Sequence, residues 1–211
     1  MKSHMSAGVV AAVMPLFFVM AAGPPSPLEN AVRTHPSVAA AADTGPRYTK
    51  ADVEFMQGMI GHHAQALVMA ALVPARSKLP ALALLAERIT VSQRDEIKLM
   101  QRWLKDRGEM VPDPGSGHDH HDMGSHDLMP GMASPAELAQ LAAAKGTEFD
   151  RLFLTLMIRH HEGALVMVAR LFGTPGAGQE AEAFRFASDV DPDQRAEIRR
   201  MRLLLDALPN G

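Results

Sequence analysis

The feature that most constrains this chain is an internal duplication. The segment beginning at Asp52, DVEFMQGMIGHHAQALVMAA, aligns without a gap with DRLFLTLMIRHHEGALVMVA beginning at Asp150. The match pairs Asp52 with Asp150, Phe55 with Phe153, Met59 with Met157, His62 with His160, His63 with His161, Ala66 with Ala164 and Met69 with Met167. Further on, QRDEIKLMQRWL from Gln93 aligns with QRAEIRRMRLLL from Gln194, pairing Glu96 with Glu197, Ile97 with Ile198 and Met100 with Met201. A repeat of this length is one supersecondary unit used twice, and the two copies bury their apolar faces on each other. Polar residues recur in it as faithfully as apolar ones, which a core alone does not require.

Each copy reads as two helices. Thr49 with Asp52 forms a capping pattern, and apolar residues then recur at helical spacing until Pro74. Pro80 suits a first turn and Gly108 a C-terminal stop, so the second helix is expected over 80–107. In the second copy Ser134, Pro135 and Glu137 open a helix that is expected to break near Gly146, restart, and end after Phe172. The last helix is expected over 179–208, with Pro192 kinking or restarting it. The chain has only nine Phe and Tyr residues besides its single Trp, and few β-branched ones, which disfavours strands. These readings predict an all-α fold: a four-helix bundle made from a duplicated helical hairpin, with hairpins at 48–108 and 134–208 joined by an insert at 109–133.

The first 47 residues differ in kind. Lys2 and His4 precede an apolar run from Ala7 to Ala22, and small residues followed by Pro24 and Pro25 complete the pattern of an export signal over residues 1–22. The run is short for a membrane span, so membrane attachment is expected only if the signal is retained. Residues 23–47 have a flexible-linker composition. The expected location is periplasmic or secreted. The chain has no cysteine, so neither a disulfide framework nor a thiolate metal site is available. With 21 basic and 24 acidic residues the net charge of -3 gives no case for nucleic-acid binding.

What is abundant is soft and basic: 15 Met and 10 His. On the first helix of each copy, Asp52, Met56, Met59 and His63 share one stripe, with His62 and Met69 about a quarter turn away. On the second helix Gln93, Glu96 and Met100 share a face. The second copy repeats this with Met157, His160, His161, Met167, Gln194, Glu197 and Met201. Each hairpin thus presents imidazole, thioether and carboxylate to the interior, where helical bundles build metal sites. Thioether with imidazole suits Cu(I), and imidazole with carboxylate suits Cu(II) or another divalent metal. The same residues have a plainer reading. Met69, Met100, Met167 and Met201 are core filling, and His62–Glu96 or His63–Asp52 are satisfied structural contacts. The insert adds His118, His120, His121 and His126 beside Met123, Met129 and Met132, a tract of metal-binding composition.

The pattern Asp, Phe, Met, His-His, Ala, Met on one helix and Gln, Glu-Ile, Met, Trp-Leu on the next resembles the family of domain of unknown function 305. The resemblance covers residues 48–107 and 147–205. It implies an exported, ferritin-like four-helix bundle, and because the family includes copper-binding CopM-type proteins of bacteria, it implies copper as the ligand. The chain departs from the pattern in its second copy, where Leu204 stands opposite Trp103 and Leu154 opposite Met56. The expected function is copper binding for buffering, resistance or handover, with the metal ion and a copper donor or acceptor protein as partners. Two alternatives stay open. A ferritin-like metal-dependent oxidase would need Glu-x-x-His motifs, and the sequence has none. A metal-free helical protein would bind another protein through the duplicated face.

Overall fold

The computed structural model describes residues 48–114 and 129–209. The expected signal and linker lie outside the described residues, as do His118, His120, His121, Met123 and His126. Within the described residues the fold is all-helical, with the order α1 (Lys50–Ala70), α2 (Val73–Arg76), α3 (Pro80–Asp106), α4 (Pro135–Ala143), α5 (Gly146–Gly173) and α6 (Ala181–Asp206).

Local chemistry sets the ends of these helices. Thr49 and Asp52 close a reciprocal capping box on α1, and Ser134 and Glu137 close one on α4. α3 begins at Pro80, whose missing N–H is no loss in a first turn. It ends on Gly108, whose φ of 71° permits a Schellman turn. In that turn Gly108 N donates to Lys105 O at 3.1 Å and Glu109 N to Leu104 O at 2.9 Å. Pro192 does not stop or restart α6, which is continuous across it. The proline deprives only the Ser188 carbonyl of its helical donor.

α1 packs against α3, α5 against α6, and α1 against α5. α1 and α5 run antiparallel, because Gly58 faces Met167 while His62 faces His160. Two apolar clusters follow from this crossing. One gathers Phe55, Met56, Met59, Met100, Trp103, Leu171 and Phe186. The other gathers Met69, Leu82, Ile89, Phe149, Phe153, Met157 and Met201. On α1 and α5 the histidines sit between the residues that feed the two clusters.

Candidate metal centre

All four repeated histidines are buried: His62, His63 and His161 at 0% exposure and His160 at 1%. His63 and His161 behave as repeat partners. His63 donates from Nε2 to Glu96 Oε2 at 2.5 Å, and His161 to Glu197 Oε2 at 2.7 Å. Glu96 also accepts from the Ser92 hydroxyl at 2.9 Å. Burial pushes the Glu96 carboxyl up, but the hydrogen bond and charge of His63, with the Ser92 hydroxyl, together hold it below the usual carboxylate range. The expected His62–Glu96 and His63–Asp52 contacts do not form. Asp52 instead caps α1 through Thr49 and accepts from Gly178 N at 2.7 Å.

His62 and His160 turn toward the α1–α5 seam and stack, with centroids 3.8 Å apart and planes at 33°. The two copies therefore contribute to one imidazole layer. His160 Nε2 lies 2.9 Å from the His62 backbone carbonyl, and His62 Nε2 lies 3.0 Å from the Pro130 carbonyl. A carbonyl oxygen only accepts, so both rings carry their proton on Nε2 and a lone pair on Nδ1. Burial and the neighbouring His63 push the His62 imidazole down to about 3, and burial and His62 hold His160 well below its ordinary value. Both are neutral at any physiological pH.

In each of the four rings, Nδ1 is buried without a hydrogen-bond partner. Gln93 and Gln194, one turn before the two glutamates, also carry buried unpartnered amide atoms. Such groups are uncommon in a native interior. A lone pair on Nδ1 with Nε2–H bonded to a carboxylate or a carbonyl is the arrangement that metal-bound histidines adopt. The sulfur ligands expected from the sequence divide between the two clusters. Met56, Met59 and Met100 lie in the first and Met69, Met157 and Met201 in the second, all fully buried. Met129, Met132 and Met167 are half-buried. Among the described residues no three His, Asp or Glu side chains gather around one point.

A short strap, residues 129–133, lies across the imidazole layer and was not foreseen as part of it. Besides Pro130 O on His62, Ala133 is held at both backbone atoms by Gln65, with Nε2 to O at 2.9 Å and N to Oε1 at 2.7 Å. Arg159 clamps the strap's exit by pairing with Glu137 through both terminal nitrogens at 2.7 Å. Gly163 makes the approach possible, because a Cβ there would lie 1.9 Å from Pro130 O. Gly131, at φ 77°, is also tight, with a Cβ position 2.3 Å from Arg159 O. The sequence held a signal for this: Gly163 stands where the first copy has Gln65, so the copies differ where a third segment docks.

The sequence pattern of the family described as Domain of unknown function (DUF305) matches residues 52–205. A DUF305 fragment from Deinococcus radiodurans is similar at 36% identity and a TM-score of 0.67, covering 77% of this chain and 100% of that one. A DUF305 protein of Streptomyces coelicolor, described as secreted, is similar at 27% identity and a TM-score of 0.63, covering 76% and 97%. CopM in its Cu(II)-bound form is similar at 30% identity and a TM-score of 0.57, covering 74% and 95%, and it is also known in Cu(I)- and Ag-bound forms. A search of the curated proteins found no match.

Proposed function

The chain belongs to the DUF305 family, and from that premise we propose that it is an exported copper-binding protein that buffers or hands over copper. The four long helices act as a ferritin-like four-helix bundle whose two hairpins, 48–108 and 134–208, close on the imidazole layer. The observation that carries the reading is the set of buried, unpartnered Nδ1 atoms at repeat-related positions. Its support from outside the chain is the similarity to CopM, which binds Cu(I), Cu(II) and silver.

In this reading His62, His63, His160 and His161 offer Nδ1 to the metal. Glu96 and Glu197 hold the rings of His63 and His161 by accepting Nε2–H rather than by ligating. The backbone carbonyls of Pro130 and His62 do the same for the other pair. Met59 and Met100, and their repeats Met157 and Met201, supply soft donors that keep their lone pairs at any pH, which suits Cu(I). The tract with His118, His120, His121, Met123, His126, Met129 and Met132 captures metal. Binding there is weaker, because a linker segment loses conformational entropy when it closes on an ion. An oxidase centre is disfavoured by the pairing itself, since each glutamate serves its own histidine and no Glu-x-x-His motif exists.

The test is elemental analysis of the protein purified from its native compartment, followed by pulsed EPR of the Cu(II) form. Copper at one or more equivalents, with imidazole nitrogen couplings that lose intensity in the His62→Gln/His160→Gln variant and disappear only when His63 and His161 are replaced as well, is the expected result. Iron or manganese instead would favour the oxidase, and no metal would favour a protein-binding bundle.

A further inference from the structure

The imidazole layer leaves one group of soft donors unexplained. α1 carries glycine at 58 and 61, where the second copy has Leu156 and Arg159, so its face is notched. Two thioethers from different elements converge on the notch. The position that a Cβ of Gly58 would take lies 3.4 Å from Met167 Cε, on α5, and 3.5 Å from Met129 Sδ, on the strap. The corresponding position on Gly61 lies 3.6 Å from Met129 Cε. Met69, the repeat partner of Met167, is fully buried in the other cluster, on the side of Leu156. In the second copy, then, a hydrocarbon stands where the first has a glycine bordered by the Met167 methyl and the Met129 sulfur. Both Met129 and Met167 are half-buried, so the pair is reachable from solvent while its surroundings are apolar.

A thioether has no proton to lose and is a soft, neutral donor. Two of them at an apolar edge favour a polarisable monovalent cation over a hard, strongly hydrated divalent one. We infer that Met129 and Met167 form a two-thioether site for Cu(I) or Ag(I) at the junction of strap and helices, separate from the imidazole layer. Copper as its natural ion rests on the copper-binding reading above. The two-sulfur site itself rests on the notch.

The test uses the full chain with 13C-labelled methionine methyls, titrated with silver(I) in chloride-free buffer. The ε-methyl signals of Met129 and Met167 are expected to shift together and to saturate at one equivalent. Met129→Leu, which keeps volume, is expected to silence Met167 and weaken silver(I) binding at least tenfold without altering the melt. Gly58→Leu keeps both sulfurs but fills the notch, and is expected to do the same. A Met167 response that survives Met129→Leu, or shifts confined to other methionines, would overturn the site. Competition with a Cu(I) chelator separates the two readings. If silver shifts the pair but Cu(I) does not bind, the site stands and the copper reading fails. If Cu(I) binds while both methionines stay silent to either ion, the site alone fails.

Discussion

Gly163 and Gly61 lie on facing helices beneath the same strap, and replacing each with alanine should have opposite effects. A Cβ on Gly163 would sit 1.9 Å from Pro130 O and 2.5 Å from Pro130 C, so the strap must lift. Lifting it breaks the His62 bond to Pro130 O at 3.0 Å and the two Gln65–Ala133 bonds at 2.9 and 2.7 Å. At about 1 kcal/mol for each bond the loss is about 3 kcal/mol, partly offset by about 1 kcal/mol of improved helix propensity. The net loss of about 2 kcal/mol corresponds to a Tm lowered by about 4–8 °C in a domain of this size. A Cβ on Gly61 meets only Met129 Cε at 3.6 Å, an ordinary contact, so Gly61→Ala should keep or raise Tm. Calorimetry on the two variants reads this directly. A Gly163→Ala variant as stable as the unaltered chain would show that the strap contributes nothing to the fold.

Other perturbations test the layer beneath. His62 and His160 have depressed values in the folded chain, so their contribution to stability is complete above about pH 6.5 and is lost as pH falls towards 3, the unfolded chain taking up protons that the folded chain refuses. Denaturant titrations at pH 7 and pH 5 should differ by about 2 kcal/mol per histidine, and a flat response would mean the rings are not held neutral. Because the two rings stack at 3.8 Å, a double-mutant cycle of His62→Ala and His160→Ala should depart from additivity by more than about 0.5 kcal/mol, whereas additive losses would place them in separate sites. Replacing residues 115–128 with a Gly-Ser joint, leaving the strap in place, should preserve a cooperative melt. Loss of that transition would make the tract part of the core.

Helix ends were legible because their signals are local. Thr49 with Asp52, Ser134 with Glu137, and Gly108 each act within a few residues. The pairing of His63 with Glu96 was not, because a stripe 100° wide admits either adjacent histidine and only the rotation of α1 against α5 chooses between them. Stacking on His160 takes His62 to the seam and leaves His63 for the glutamate. The methionines and histidines were legible as composition, but how they group in space was not. Methionines that share a stripe with a histidine are divided between two clusters by the antiparallel crossing. The strap was least legible of all, because its own contribution to the bonds comes from the backbone of Pro130 and Ala133, and its one trace in the sequence is the exchange of Gln65 for Gly163 between the copies.

The strap also breaks the symmetry of the duplication, and the break has a measurable consequence. His160 Nε2 bonds to the backbone of α1, while His62 Nε2 bonds to the strap rather than to the backbone of α5. Freeing the His160 proton therefore requires α1 and α5 to part, which exposes both apolar clusters. Freeing the His62 proton requires only that five residues lift, at the cost of a few hydrogen bonds and little apolar area. Local openings of the second kind have lower free energies than global ones. The Nε2–H of His62 should thus exchange with solvent faster than that of His160, with a free energy about 1 kcal/mol above the loss measured for Gly163→Ala, because opening the unaltered chain gains no helix propensity. Equal exchange rates, both tracking global stability, would show that strap and helices open as one unit and that His62 has no private route to solvent.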